Sequence, residues 1–291
     1  MRRLLALLLL MVPAPVLAQA PAVATIVAPR AAPGPAPGPV RVVGGPGPGC
    51  IAGAERLPDS APGIQTVRLG RSTFWGHPDV IAGLKLLGER ARAAGLPDLY
   101  MNDISAPRGG PLPGGHASHQ LGLDADVYLD ISLPRQALSP AAREAIEPPS
   151  LVRGDQRGVD AARWKPGHVT LLRLATALPG VDRVLVNAAI KRQLCLEVPA
   201  GARDWLRRIR PWYGHASHMH IHFRCPAGQG ECRDLPPIPP GDGCDASLQW
   251  WFDRLDQPAS KPVPRKPQAP RVPAACGPIL TMPAAASTGR R

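Results

Sequence analysis

The sequence has no long apolar run after the leucine-rich stretch near its start. A helix that crosses a membrane needs about 20 consecutive, mostly apolar residues. The leucine-rich stretch at residues 4–12 is too short for that, and no later run is longer. We therefore expect no transmembrane segment in the mature chain.

The leucine-rich stretch instead belongs to the pattern of a secretory signal peptide. Arg2 and Arg3 supply its positive charge, residues 4–12 its apolar core, and residues 16–18 (VLA) a small-residue cleavage site. We predict a signal peptide at residues 1–18 and export of the mature chain to the periplasm. No cysteine follows the predicted cut, so lipid attachment is not expected.

Acidic residues are scarce, with 22 Asp and Glu against 34 Lys and Arg and a formal net charge of +12. Loss of Arg2 and Arg3 with the signal peptide would leave +10. An exported protein does not meet nucleic acid in its normal service, so we expect no nucleic-acid partner. An anionic envelope polymer or a membrane surface would be attracted instead. Charge by itself does not choose between these, and it could simply keep the surface colloidally stable.

Cysteine is limited to six residues, Cys50, Cys195, Cys225, Cys232, Cys244 and Cys276. An even set in an oxidising compartment predicts three disulfides, with six free thiols as the alternative. Cys225 and Cys232 bracket a Pro/Gly turn that could close locally. Cys50 and Cys276 lie at the borders of the central region, where a disulfide would tie both tails to the body.

Internal repeats are also absent, and composition divides the chain into tails and a body. Residues 19–49 are rich in Pro, Ala and Gly and are predicted to be a linker. Residues 257–291 form a similar Pro/Lys-rich tail that would be tied down by Cys276. The body at residues 50–256 has about 200 residues, the size of one domain.

Sequence patterns in the body predict helices and strands in irregular order. Apolar spacing predicts helices at residues 79–95, 165–178 and 203–212, and Ser139 followed by Pro140 predicts the start of a short helix. Strands are predicted at residues 99–104, 125–131, 182–187 and 218–223, with a loop at residues 108–115. This order is typical of an α+β fold, a small, mainly antiparallel sheet flanked by helices.

Half of the eight histidines lie in one short segment, YGHASHMHIHFRC at residues 213–225. Side chains of a strand alternate between its two faces. His218, His220 and His222 would therefore share one face, with the apolar residues between them facing the core. The strand is thus predicted to line a cleft with imidazoles.

A second cluster, GGHASHQLGLDADVYLD at residues 114–130, contains His116, His119, Asp124 and Asp126. Imidazole and carboxylate are ligands that suit zinc, and three protein ligands leave a fourth position for water, as in catalytic zinc sites. The two clusters together favour a metal site over a polar surface with scattered histidines.

These segments resemble a known family. The two clusters look like the H-x6-D and H-x-H pair of the superfamily that contains lysostaphin-type peptidases, D-alanyl-D-alanine metallopeptidases and the hedgehog amino-terminal domain. GGHASHQLGLDADV, NDISAPRGG, FWGHPD, RWKP, NAAIKRQLC and HMHIHFRCPA resemble the penicillin-insensitive murein endopeptidase family more closely. The likeness extends from about Cys50 to Cys276.

The resemblance implies one zinc ion bound by His119, Asp126 and His220, with His116 as a further candidate contact. Relatives can carry a second metal at an Asp-x-x-His motif, but the matching stretch here runs from Asp155 to a glycine. A second zinc is therefore doubtful.

The family also implies His218 as the catalytic base and His215 as an accompanying histidine, which in its protonated form could stabilise an oxyanion. His222 stands where relatives can carry Arg and is interpreted as a residue at the rim of the site. The implied disulfides are Cys50–Cys276, Cys195–Cys244 and Cys225–Cys232.

The implied activity is hydrolysis of murein cross-links between D-alanine and meso-diaminopimelate, which no β-lactam would inhibit and which would serve cell-wall remodelling. The expected partner is peptidoglycan, and the oligomeric state is left open. Two alternatives remain, a D,D-carboxypeptidase with the same zinc fold and a non-catalytic murein-binding module.

Several further side chains allow two interpretations. Asp124 could orient a ligand histidine or simply begin a strand, while His77 is expected to be structural and His168 to be exposed on its helix. Trp212 and Tyr213 could line the cleft, which we favour, or pack beneath the strand. Arg108 could meet a substrate carboxylate or lie on the surface.

Overall fold

The fold was analysed in a computed structural model that describes residues 32–112, 117–132, 136–257 and 272–281. Its α-helices are α1 (Pro78–Ala93), α2 (Pro140–Ala145), α3 (Pro166–Thr176), α4 (Ala188–Glu197), α5 (Ala246–Asp253) and α6 (Cys276–Thr281). Its strands are β1 (Arg41–Gly44), β2 (Gly49–Ala52), β3 (Glu55–Arg56), β4 (Ser60–Ala61), β5 (Ile64–Thr66), β6 (Trp75–Gly76), β7 (Leu99–Met101), β8 (Asp124–Tyr128), β9 (Val181–Val186), β10 (Ile209–Pro211) and β11 (His218–Phe223).

The main sheet contains seven strands in the order β10-β9-β11-β8-β7-β5-β4. Only the β10–β9 and β7–β5 pairs are parallel, and the other pairs are antiparallel. Helix α3 packs against β9, and α1 packs against α3. The predicted α+β class, a mainly antiparallel sheet flanked by helices, is confirmed.

Helix α1 follows the apolar stripe that predicted it. Val80, Ile81, Leu84 and Leu87 are all buried. The helix begins after His77, whose Nδ1 accepts a hydrogen bond from the Asp79 backbone N–H at 3.1 Å. His77 is therefore structural, as predicted, because its ring caps the first turn.

Strand β11 lies against the apolar layer beneath the sheet. Met219 and Ile221 are fully buried and Phe223 nearly so. A Cβ atom built on Gly83 of α1 would lie 3.0 Å from the Phe223 ring. A glycine in mid-helix therefore allows α1 to approach the strand closely, and the opposite face of β11 is left for its histidines.

The predicted helix at residues 203–212 is wrong. A single 3-10 helix, Asp204–Arg208, leads directly into edge strand β10, which pairs in parallel with β9. Leu206 and Ile209 are both fully buried. Their spacing fits a 3-10 turn as well as an α-helix, and Pro211 is tolerated because β10 is at the edge of the sheet.

The cysteines form the three implied disulfides, Cys50–Cys276, Cys195–Cys244 and Cys225–Cys232. Strand β1 pairs with β2 although it lies in the segment that we expected to be linker. Its Val42 and Val43 are buried, which gives this part of the chain a folded role despite its composition.

Arg108 is not a surface residue. Its side chain is buried, with Nε donating to the Gly34 carbonyl at 3.1 Å and an Nη donating to the Leu280 carbonyl at 3.3 Å. The guanidinium thus joins segments near the two ends of the described chain. A basic side chain with few apolar neighbours in sequence gave no sign of this burial.

Within the described ranges, no helix combines the length and the apolarity that crossing a membrane requires.

Candidate metal centre

The two clusters of potential ligands lie on neighbouring strands. Strands β8 and β11 are antiparallel, and their register places His220 opposite Asp126 and His222 opposite Asp124. All four side chains are buried. Segments almost 100 residues apart in sequence therefore bring their polar faces together in the middle of the sheet.

Three of the predicted ligands converge on one point. Asp126 Oδ1 lies 3.4 Å from His119 Nε2 and 3.1 Å from His220 Nδ1. The potential ligand atoms of these three residues all lie within 4.8 Å of one another. They could therefore share one metal ion. His116, the further candidate contact, lies outside the described residues and stays a prediction.

The second nitrogen of each imidazole is already engaged. His119 Nδ1 donates to the Ile104 carbonyl at 2.9 Å, and His220 Nε2 donates to Asp124 Oδ1 at 3.0 Å. Each hydrogen bond fixes the ring, and a metal ion would replace any proton on the nitrogen that faces Asp126. Metal-binding histidines are commonly oriented in this way.

His119 is positioned by its backbone as well as its ring. Its φ of 63° lies in the left-handed region, and its N–H donates to Asp124 Oδ2 at 3.1 Å. Asp124 thus begins β8 and also contacts both candidate histidine ligands, so the two roles that we considered for it are compatible.

The charges of the cluster fit a cation. Among the described residues, neither Asp124 nor Asp126 pairs with a lysine or arginine, although both are buried. Burial alone would raise the pKa of both carboxyls, but the neighbouring histidines hold it well below the usual value. Burial alone would lower the pKa of His220, but its hydrogen bonds to the two carboxylates raise it to about 10. Buried carboxylates need a compensating positive charge, which a divalent ion would provide.

His215 and His218 lie beside the three potential ligands. The His218 ring centroid is 4.9 Å from that of His215, and its Nε2 is 3.8 Å from Asp126 Oδ2. Burial lowers the pKa of His218, and it lowers the pKa of His215 to about 4. Both rings are therefore neutral at pH 7.

The tautomer of His215 follows from its hydrogen bond. Its Nδ1 donates to the Tyr213 carbonyl at 2.7 Å, so Nε2 of the neutral ring can only accept a proton. The positive charge that we considered for His215 is not supported.

A cavity of about 410 Å³ opens onto the cluster. It is lined by Arg71, Asn102, Asp103, Ala117, Ser118, His119, Asp126, Leu185, Trp212, Tyr213, His215, His218 and His220. Trp212 and Tyr213 are thus part of the cleft wall, as we favoured.

Sequence reasoning missed Arg71, Asn102 and Asp103. Arg71 donates to Asp103 Oδ2 at 2.8 Å, and Asn102 Oδ1 is buried with no hydrogen-bond partner in the described part of the chain. The available signal was the polar pair at the end of the LYMNDI strand, since strand β7 ends at Met101 and leaves both residues beside the cavity.

His222 is not a rim residue. It is 5% exposed, and its Nδ1 donates to Asp124 Oδ1 at 2.6 Å. His168 is buried too, contrary to prediction, because its Nε2 donates to the Leu129 carbonyl at 2.8 Å and its ring stacks on Trp164. Asp155 forms an ion pair with Arg153 instead of approaching a histidine.

A family model described as penicillin-insensitive murein endopeptidase matches residues 42–281. The chain belongs to this family. A curated penicillin-insensitive murein endopeptidase from Klebsiella pneumoniae subsp. pneumoniae is 42% identical over 236 residues, covering 80% of this chain and 83% of the relative. One from Salmonella newport is 41% identical over 232 residues, with the same coverage of each chain. The match of the murein endopeptidase family begins within β1, in agreement with the folded hairpin.

Proposed function

We propose that this chain is a zinc-dependent endopeptidase that hydrolyses D-alanyl–meso-diaminopimelyl cross-links of murein. Membership of the murein endopeptidase family supports the substrate. The observation that carries the metal chemistry is the buried convergence of His119, Asp126 and His220 on one point.

The donor set suits zinc. Two imidazole nitrogens and one carboxylate oxygen are borderline-to-hard ligands, and three protein ligands are typical of catalytic zinc. All six cysteines, the softer ligands, are used in disulfides. A bound zinc ion supplies Lewis acidity, which lowers the pKa of water towards about 7 and polarises the carbonyl to be cleaved.

His218 is the proposed general base. Its ring is neutral at pH 7, lines the cavity and lies next to Asp126, so it can accept a proton from the attacking water and later return it to the leaving amine. His215 lies beside it and also lines the cavity, with its Nδ1–H held by the Tyr213 carbonyl. We assign His215 an accompanying role, in which its free Nε2 accepts a hydrogen bond inside the cleft.

A nucleophilic side chain is not required by this chemistry. β-Lactams act by acylating an active-site serine, and water attacks directly in the proposed reaction. Ser118 lines the cavity but has no assigned base. The scheme thus explains an activity that β-lactams do not inhibit.

The proposed location is the periplasm. The three disulfides fit an oxidising compartment, and the predicted signal peptide at residues 1–18 would deliver the chain there. Residues 1–31, which include it, lie outside the described part of the chain. Peptidoglycan, a remodelled polymer of that compartment, is the proposed partner.

Digestion of purified murein sacculi, with and without a chelator, tests the proposal. We expect cross-linked muropeptide dimers to be converted to monomers, loss of this activity with chelator, and its return with zinc. Release of free alanine with the dimers intact would favour the D,D-carboxypeptidase. Binding to sacculi without any cleavage by zinc-loaded protein would favour the binding module.

A further inference from the structure

An aromatic surface adjoins the cavity of about 410 Å³ that opens onto the candidate metal centre, which we call the catalytic cavity. The chain has only 12 Phe, Trp and Tyr residues (Phe 3, Trp 6, Tyr 3), and four of them lie together, Trp212, Tyr213, Trp250 and Trp251. We call these four residues the aromatic platform. Trp212, Tyr213 and Trp250 are 52%, 59% and 47% exposed. Large exposed aromatic patches of this kind usually mark binding sites.

The rings of the platform contact one another and so form one continuous surface. The Trp251 centroid lies 4.8 Å from that of Tyr213, 5.2 Å from that of Trp250 and 6.3 Å from that of Trp212. Trp250 and Trp251 come from α5, whereas Trp212 and Tyr213 follow β10. Two separate segments therefore present their aromatic side chains at the same place.

The platform has its own groove, of about 160 Å³, lined by Gln156, Asn187, Ala188, Trp212, Tyr213, Gly214, Trp251, Phe252 and Leu255. None of these described lining side chains is charged, although the chain has a net charge of +12. An anionic lipid surface would be bound by lysine and arginine, and the carboxylates of a peptide by cations. The lining of the groove offers aromatic rings and side-chain amides instead. Two nearby arginines, Arg192 and Arg254, are stacked over the rings of Phe252 and Trp250 at 3.9 and 4.8 Å.

Uncharged aromatic and amide groups are suited to sugars. The C–H face of a pyranose packs on an aromatic ring, and its hydroxyl and acetamido groups hydrogen-bond with amides and with the polar tips of Trp and Tyr. Murein consists of amino-sugar strands linked by peptides, so a hydrolase of its peptides meets such sugars next to the bond that it cleaves.

The platform is also continuous with the proposed catalytic site. Trp212 and Tyr213 line both the groove and the catalytic cavity. The Tyr213 carbonyl accepts the hydrogen bond of His215, whose ring centroid is 5.8 Å from that of His220. A polymer that entered the cavity would therefore pass over the platform.

We propose that the aromatic platform binds the amino-sugar strand of murein while a peptide attached to that strand enters the catalytic cavity. The proposal rests on the proposed function, because it assigns the platform to the same substrate. It assigns the groove a neutral saccharide ligand.

Trp251 is the residue to test, because it lines the groove and not the catalytic cavity. The probe is peptide-free glycan strands, prepared from purified sacculi with an amidase, and binding is followed by tryptophan fluorescence. We expect Trp251→Ala to weaken binding by about tenfold, as for an aromatic residue at the centre of an interface. Trp251→Phe should retain most of the affinity. Leu196→Ala, which truncates an apolar residue that is 74% exposed and lines neither cavity, is the matched control and should bind normally.

Two cross-linked peptide dimers, one with its sugars and one without, separate this proposal from the proposed function. Trp251→Ala should raise KM for the sugar-bearing dimer, leave its kcat nearly unchanged and leave cleavage of the sugar-free dimer unaffected. Circular dichroism and thermal melting show whether the variant is folded.

The platform proposal would be overturned if the wild-type protein did not bind glycan strands. It would also be overturned if Trp251→Ala reduced cleavage of the sugar-bearing and sugar-free dimers equally. Binding to anionic phospholipid vesicles that depends on Trp251, without glycan binding, would overturn it in favour of a membrane contact. Glycan binding without cleavage of either dimer would leave the platform intact and contradict the proposed hydrolase. Cleavage of both dimers by the wild type and by Trp251→Ala at the same rates would support the proposed hydrolase and contradict the platform proposal.

Discussion

The Asp124 carboxylate accepts the Nε2–H of His220 through Oδ1 at 3.0 Å. The same oxygen accepts the Nδ1–H of His222, and Oδ2 accepts the backbone N–H of His119. One buried carboxylate thus holds two side chains from β11 and the backbone of the loop before β8. Both segments carry proposed zinc ligands, so Asp124 connects the two halves of the metal centre.

Asp124→Ala should therefore weaken zinc binding without removing a ligand. Loss of a carboxylate that orients a ligand histidine typically lowers metal affinity by about 10- to 100-fold. Titration against a chelating dye measures this affinity directly. Asp124→Asn keeps the shape of the side chain and one acceptor oxygen. Its zinc affinity should therefore lie between those of the wild type and Asp124→Ala.

Asp130 provides the matched control for Asp124. It follows β8, and its Oδ1 accepts hydrogen bonds from Ser132, away from the cluster. Asp130→Ala should leave zinc affinity unchanged. Equal zinc affinity in the wild type and Asp124→Ala would show that Asp124 does not orient the ligand.

His218→Ala should abolish most of the hydrolysis and leave the metal in place. A positioned general base contributes about 10²- to 10⁴-fold to a rate, so kcat should fall by that factor. His218 is not one of the three converging ligands, so zinc content, measured by mass spectrometry, should match that of the wild type. Unchanged turnover of muropeptides would contradict the assignment of the base.

The alternation of β11 was readable in the sequence because strand geometry is local. The pattern placed His218, His220 and His222 on one face, and the structure confirms this through their shared contacts with Asp124 and Asp126. The register of β11 against β8 was not readable, since it joins segments almost 100 residues apart. The close contacts of Asp124 depend on that register.

Two side chains were misinterpreted because their partners lie far away in sequence. His168 occupies a helical position that looked exposed, but its proton goes to the Leu129 carbonyl of another element. Arg108 is buried between segments near both ends of the described chain. Periodicity reports which face of an element is apolar, and it does not report which polar groups a distant segment will cover.

A disulfide should stabilise the protein more when the loop that it closes is longer. Cys50 and Cys276 are 226 residues apart, whereas Cys225 and Cys232 are 7 apart. Chain entropy alone predicts losses of about 5 and about 2 kcal/mol in the free energy of unfolding when each pair is replaced by alanine. Urea unfolding of the two double variants measures these losses. A larger loss for the short loop would refute this ranking.

Lys191 should make stability depend on pH. Its side chain is fully buried in α4, with Nζ donating to the carbonyls of Leu206 and Asp242. Burial lowers its pKa to about 7, against about 10.4 in an unfolded chain. The folded state binds fewer protons between these values, so the Lys191 contribution to the free energy of unfolding should rise with pH from about 7 to 10, by up to about 1.4 kcal/mol per pH unit.

Urea unfolding of the wild type and Lys191→Met over this pH range isolates the effect. The comparison subtracts every other titrating group, including His220, whose raised pKa acts in the opposite direction by removing stability as pH rises. In Lys191→Met, the free energy of unfolding should lack the increase with pH that Lys191 causes in the wild type. This holds whatever the stability of the variant at pH 7. Parallel pH curves for the two proteins would show that Lys191 is charged in the folded state throughout.

The position of the bound zinc ion can be measured most directly by anomalous diffraction at the zinc absorption edge, from crystals of the zinc-loaded protein. One strong peak is expected about 2 Å from a nitrogen of His119, an oxygen of Asp126 and a nitrogen of His220. A peak elsewhere, or none at these three residues under saturating zinc, would show that they do not form the zinc site.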